Sequence, residues 1–102
     1  MTEARFDEII HPATRLSIVS LLAAADWVEF AYIRDRFQLS DSALSKQLAT
    51  LHEAGYVHLD REKSGQRRRV RARLTPAGRV AFRQHVAALR AIVAAADALD
   101  VG

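Results

Sequence analysis

The 102-residue sequence contains no cysteine, which excludes disulfides, thiolate zinc centres and cysteine nucleophiles together and fits a reducing compartment. Glycine and proline are scarce, at four and two residues, and no linker, low-complexity tract or internal repeat divides the chain. No stretch approaches the length of a membrane span. The N-terminus, MTEARFDEIIHP, carries three acids and no long apolar run, so it is not a secretory signal. A cytoplasmic protein is expected by elimination. Enzyme signatures are missing as well: there is no GxGxxG loop or P-loop, and no carboxylate pair beside a plausible histidine base. The chain is therefore expected not to be an enzyme.

Half of the residues are apolar and 26% are charged, the balance of a folded domain. At this length one hydrophobic core is expected, in a single domain over residues 1–102 that a partner chain can complete. The net charge of +3 is modest but unevenly spread. From Asp60 to Arg73 seven bases (Arg61, Lys63, Arg67, Arg68, Arg69, Arg71, Arg73) face two acids, a local balance of +5, while the other eighty-eight residues carry −2. Charge concentrated in this way reads as a footprint for a polyanion. A face kept only for solubility usually intersperses acids, and none lies among the five arginines between 67 and 73.

Periodicity places the elements. Pro12 opens a helix in which Leu16, Val19, Leu22 and Ala23 recur at helical spacing, ending near Ala25. Trp27-Val28-Glu29 suits a brief strand, and Phe30, Ile33 and Phe37 mark one face of a short second helix whose start lacks a good cap. Ser40 or Asp41 caps a third helix, Leu44, Leu48 and Leu51 form its core stripe, and Gly55 stops it. Turning about 100° per residue puts Ser42, Lys46, Ala49, Thr50 and Glu53 furthest from that stripe, with Ser45 on one shoulder and Ala43 and Gln47 on the other. The short side chains let a helix approach a groove, and Ser, Thr, Lys and Gln can bond base edges or phosphates. Ser42 and Ser45 stand on an exposed helix face with no strained elbow to activate them as nucleophiles.

Residues 56–60 and 69–74 alternate as an antiparallel hairpin. Val57, Leu59, Val70 and Leu74 point to the helices, Arg69, Arg71 and Arg73 form a basic outer face, and Lys63, Arg67 and Arg68 sit at the tip. Two strands alone are marginal, so the hairpin is expected to pack on the helices with Trp27-Val28 as a third strand. Thr75-Pro76 then caps a last helix running to about Leu99, roughly 35 Å long. Along it Phe82, Val86, Leu89, Val93 and Ala96 step by four, three, four and three, a seam of about two heptads. Its length exceeds what the small domain needs for cover, and a homodimer through this seam is expected. The class is mainly α with a small antiparallel β-wing: a winged helix-turn-helix with a long C-terminal helix. Residues 11–75 form the core, and 76–99 the dimerisation helix.

Four segments carry a resemblance: His11-Pro12-Ala13-Thr14-Arg15-Leu16, Leu39-Ser40-Asp41-Ser42-Ala43-Leu44-Ser45-Lys46-Gln47-Leu48, Leu51-His52-Glu53-Ala54-Gly55-Tyr56-Val57, and Leu74-Thr75-Pro76-Ala77-Gly78-Arg79. In this order and with these gaps the chain resembles the small stand-alone winged-helix transcriptional regulators of the MarR and ArsR groups. The resemblance implies that residues 41–54 enter the major groove, that the wing touches the adjacent minor groove or backbone, and that terminal helices dimerise. Two departures stand out. Arg67-Arg68-Arg69-Val70 replaces the Lys/Arg-Pro-x-Thr run of many small members, and position 47, often His in relatives, is Gln. ArsR-type metal sensors use cysteine pairs or His and carboxylate ligands. Here His11, His52, His58 and His85 lie on four different elements, so no metal or other cofactor is expected. His11 is read as a structural neighbour of Pro12, and His52 as a packing residue below the groove helix.

The expected function is a sequence-specific regulator of transcription that binds double-stranded DNA as a homodimer on an inverted repeat. Ser42, Ala43, Lys46, Gln47 and Thr50 are assigned to bases, Ser45 to a base or phosphate, and Lys63, Arg67 and Arg68 to a minor groove or its phosphates. Arg69 and the other wing arginines are assigned non-specific attraction. The alternatives are a winged-helix module that docks an acidic protein surface, and a nucleic-acid-binding protein that uses the same charge without reading bases.

Overall fold

The computed structural model describes residues 2–64 and 67–99, without the side chains of Lys63, Ser64, Arg67 and Arg68. The order is α1 (Ala13–Ala23), β1 (Val28–Glu29), α2 (Phe30–Arg36), α3 (Asp41–Glu53), β2 (Val57–Ser64), β3 (Arg67–Leu74) and α4 (Pro76–Leu99). The helix after Pro12 ends at Ala23, two residues before the expected limit, with Ala24 as its C-cap. α2 starts after Glu29 with no side-chain cap, and α3 is capped by Ser40, whose Oγ accepts from the Ala43 amide. The three strands form one antiparallel sheet in the order β1-β3-β2, so Val28-Glu29 does extend the hairpin.

The core is built where the apolar stripes meet. Ile18, Val19 and Leu22 of α1, Ile33 of α2, and Leu44, Leu48 and Leu51 of α3 are buried against Val28, Val57, Ala72 and Leu74 of the sheet. Burying each leucine contributes roughly 2 kcal/mol. Ile10, ahead of α1, is also fully buried. The hairpin register runs unbroken from Val57↔Leu74 to Ser64↔Arg67. With a period of two, the buried residues Val57, Ala72 and Leu74 fix the helix-side face. Arg69, Arg71 and Arg73 consequently stand on the opposite face.

Two sharp turns set the position of α3. Gln38, between α2 and α3, adopts a left-handed backbone (φ 53°). The Leu39 and Gln38 amides reach back to the Arg34 and Asp35 carbonyls, which closes α2. At the other end Gly55 (φ 80°) closes α3, with the Tyr56 amide donating to the Leu51 carbonyl. Thr75 then joins the start of α4 to this turn: its Oγ1 accepts from the Gly78 amide at 2.9 Å and donates to the Gly55 carbonyl at 2.6 Å.

α4 packs on its own domain through Gly78, Ala81, His85 and Ala88. Residues 90–99 are exposed. The molecule is 62 Å along its longest axis with a radius of gyration of 15.8 Å, against about 13 Å for a compact chain of this length. The excess reflects a helix that outruns its own domain. No described helix is long and apolar enough to cross a membrane.

Candidate nucleic-acid interface

The face of α3 opposite its leucine stripe is open. Ser42, Ser45 and Lys46 are exposed, while Ala43, Gln47 and Thr50 are half-buried. Three of these side chains are already engaged, and the Ser42 hydroxyl lies 3.2 Å from that of Ser40. Arg15 of α1 donates from Nη1 to Gln47 Oε1 at 2.9 Å and from Nε to the Ile9 carbonyl at 2.5 Å, tying the segment ahead of α1 to α3. That bond takes one of the two lone pairs of Gln47 Oε1 and leaves the amide nitrogen uncommitted, so a bidentate contact to a base would share the oxygen with Arg15. The Thr50 hydroxyl donates to the Lys46 carbonyl within the helix. Arg15 lies in one of the motif segments, but its partner is 32 positions away and no local pattern points to it.

The helix is held at its start by charge. Arg34 of α2 donates to Asp35 and to Asp41, each at 2.9 Å. Hydrogen bonding to Asp35 first, and to Asp41 second, holds the guanidinium above its ordinary pKa, and the Asp35 carboxyl is lowered in return. These pairs are exposed and contribute little stability. Their effect is to orient the first turn of α3 relative to α2.

Across from α3 stands the hairpin. An open cleft of about 380 Å³ separates them, with Ser45 and Ala49 on one wall, Arg61 and Val70 on the other, and Leu48 and Leu59 at its base. Arg61, paired with Val70 in the register, is thus the described hairpin cation that borders the exposed face of α3. The side chains of Lys63, Arg67 and Arg68 lie outside the described residues. The register nevertheless carries both strands past Arg61 to the Lys63↔Arg68 and Ser64↔Arg67 pairs.

Arg69 is not brought together with the α3 residues. It belongs to the outer row, and that row is neutralised in space although not in sequence. Arg69 lies 3.8 Å from Glu29, Arg71 donates to Asp60 at 2.9 Å, and Arg73 lies 3.7 Å from Asp26. The Arg71 and Arg73 guanidinium carbons sit 4.4 and 4.7 Å from the Trp27 ring centroid. The run of arginines without acids between them acquires its carboxylates from β2, from β1 and from the residues leading into β1, so the local +5 overstates the free charge on this face.

On α4, Phe82, Val86 and Leu89 are half-buried, and Val93 and Ala96 are exposed. They form a stripe beside the one packed on the domain, and Val86, Leu89 and Val93 line a shallow groove. The histidines differ from the sequence reading. His52 is exposed rather than packed below α3. His11 meets more than Pro12: its Nδ1 is 3.3 Å from Nε2 of the fully buried His85, and Phe6 packs on both rings. Among the described residues no group of three His, Asp or Glu side chains could hold a metal ion.

A family model described as a winged helix DNA-binding domain matches residues 14–93. An uncharacterized protein of Methanocaldococcus jannaschii is 29% identical over 79 residues, covering 78% of this chain and 86% of its own. The structure of a transcriptional regulator homologue from Pyrococcus horikoshii superposes with a TM-score of 0.81 at 22% identity, over 93% of this chain and 91% of that one. A zinc-responsive MarR family member from Lactococcus lactis superposes at 0.64 with 22% identity, over 97% of this chain and 65% of its own.

Proposed function

The chain belongs to the winged helix DNA-binding domain family, which is not an enzyme family, and from that premise we propose that it is a cytoplasmic, sequence-specific transcriptional regulator acting as a homodimer on double-stranded DNA. The observation that carries this reading is the open, small-residue face of α3 bordered by the hairpin across one cleft. Ser42, Ala43, Ser45, Lys46, Gln47 and Thr50 then meet bases and adjacent phosphates, while Lys63, Arg67 and Arg68 meet a minor groove. Residues 11–75 form the DNA-binding unit.

Residues 76–99 supply the dimer helix, whose exposed half offers Val93 and Ala96 next to Val86 and Leu89. A two-fold axis through that seam places two copies of α3 on half-sites separated by roughly one turn of DNA, about 34–36 Å. The kinship of this reading is MarR-like and ArsR-like, with no metal. Internal pairing of Arg69, Arg71 and Arg73 counts against a binder that relies on charge alone. Selection of bound sequences from a random duplex pool tests the proposal: an inverted repeat is expected. Equal affinity for every duplex, or no affinity at low salt, would overturn it in favour of a non-specific binder or a protein-docking module respectively.

A further inference from the structure

Arg15 sits in the first turn of α1, where the positive end of the helix dipole disfavours a cation, so its charge does nothing for the helix that carries it. Its guanidinium is committed instead to two carbonyl oxygens from other parts of the chain. Nε donates to the main-chain carbonyl of Ile9 at 2.5 Å, and Nη1 donates to Oε1 of Gln47 at 2.9 Å. The Ile9 anchor is itself fixed. Asp7 Oδ1 accepts from the Ile9 and Ile10 amides at 2.8 and 3.2 Å, and Asp7 Oδ2 accepts from the Tyr56 hydroxyl. Ile10 is fully buried. The guanidinium is therefore held by backbone that is tied into the core at residue 10 and, through Tyr56, to the turn that closes α3.

A glutamine amide alone is ambiguous: one arm is a carbonyl oxygen, the other an NH2, and a half-turn exchanges them. Arginine removes the ambiguity, because it carries only donors and stays charged at every working pH. The arm that meets Arg15 must be Oε1, and the free arm must be the NH2. Both side chains are half-buried, so water competes weakly for the bond, and the charge on the donor strengthens it. Oε1 keeps one lone pair, but a second donor that reaches it must come up beside a positive guanidinium. Gln47 stands on a shoulder of α3 next to the exposed Lys46, so its free arm is the one α3 can offer to a base.

We propose that Arg15 is a positioning residue that sets the base choice of Gln47, turning an amide otherwise suited to adenine into a donor for guanine; this rests on the reading of α3 as the groove helix. A free glutamine pairs bidentately with adenine, its oxygen accepting from N6 and its nitrogen donating to N7. With Oε1 held by Arg15, the adenine amino group meets an oxygen already occupied. Guanine instead presents two acceptors, N7 and O6, to the free NH2. Arg15 itself touches no base and acts only through Gln47.

Selection of bound sequences from a random duplex pool, run on the full chain and its variants, tests this. Gln47→Ala marks the base pair read by residue 47 as the position in each half-site whose preference disappears. There wild type should favour guanine over adenine by about fivefold or more, the low end of what a good bidentate contact discriminates. Arg15→Gln, whose amide can donate or accept, should bring that ratio to about one or below and leave other positions unchanged. Arg15→Lys, which can only donate, should keep most of the preference. In the Gln47→Ala background, Arg15→Gln should change nothing at that position. Circular dichroism checks that each variant folds. Adenine favoured by wild type at that position would overturn the proposal whatever the variants do. A guanine preference unmoved by Arg15→Gln, or no position lost in Gln47→Ala, would overturn it and leave the DNA reading intact. Equal weakening of every sequence by Arg15→Gln, with a flatter salt dependence, would make Arg15 a phosphate contact and overturn it too. Failure of wild type to select any sequence would overturn the DNA reading and this inference together.

Discussion

The buried imidazole of His85 makes the most specific prediction, because its hydrogen bonds have only one self-consistent direction. The Asp7 amide donates to His85 Nδ1 at 2.9 Å. An amide N–H can only donate, so Nδ1 must carry the lone pair and a neutral His85 holds its proton on Nε2. Nε2 then donates to His11 Nδ1 at 3.3 Å, and His11 must be neutral at that atom too. A proton added at His85 Nδ1 or at His11 Nδ1 places two donors face to face. The other groups at the cluster are the Asp7 carboxylate, which accepts from the Ile9 and Ile10 amides and the Tyr56 hydroxyl, and the Phe6 ring. Burial first, and His11 second, lower the His85 pKa, against a smaller opposing pull from Asp7.

A histidine whose folded pKa lies below its unfolded value, about 6.5, stabilises the fold fully above that pH. The stabilisation is lost as pH falls through the folded value. The segment ahead of α1 is held to α4 by this relay and by the Arg5 amide on the Gln84 carbonyl, so acid should release it there first. His85→Ala removes two hydrogen bonds of about 1 kcal/mol each and leaves a small cavity, a total near 3 kcal/mol. Urea unfolding of His85→Ala at neutral pH measures that loss, and unfolding of wild type and of His85→Leu at several pH values measures the pH effect. Wild type should lose stability from pH 7 to 5 and the variant should lose less, while the imidazole nitrogen shifts of His85 should show a proton on Nε2 at neutral pH. Equal pH slopes in the two proteins, or a proton on Nδ1, would refute the relay.

Other consequences follow from single contacts. Gly78 is buried against the Tyr56 backbone, and a methyl group at 78 would run into the Tyr56 carbonyl. Gly78→Ala should therefore destabilise by about 2–3 kcal/mol in thermal unfolding. Gly55→Ala, where only the left-handed backbone matters, should cost about 1 kcal/mol. Lys46→Ala should reduce discrimination between operator and random duplex, whereas Arg68→Ala should weaken both and flatten the salt dependence by about one unit, read from binding isotherms at several salt concentrations. Val93→Glu, in the exposed part of the α4 stripe, should shift sedimentation toward a monomer and weaken operator binding with it.

Local signals made most of the architecture legible. Ser40 ahead of the leucine stripe, Gly55 after it, strict alternation from Arg69 to Leu74, and Thr75-Pro76 each encode an element within a few residues, and each element formed there. The faces of α3 followed from the same periodicity. What the sequence hid is long-range. His11 and His85 are 74 positions apart, Arg15 reaches Gln47 across 32, and Asp26 and Glu29 meet arginines more than 35 positions later. Net charge counted along a segment cannot see carboxylates delivered by another strand, which is why the basic outer face looked freer than it is. The segment ahead of α1 carries no periodic pattern, and its buried Ile10 depends wholly on tertiary contacts.

Chemical-shift mapping of the backbone amides on addition of a short selected duplex tests the central claim most directly. Perturbations concentrated in residues 41–50 of α3 and around Arg61 and the hairpin tip, with Trp27 and Arg73 little changed, are the predicted result. Perturbations centred on the outer row of Arg69, Arg71 and Arg73, with α3 silent, would contradict it.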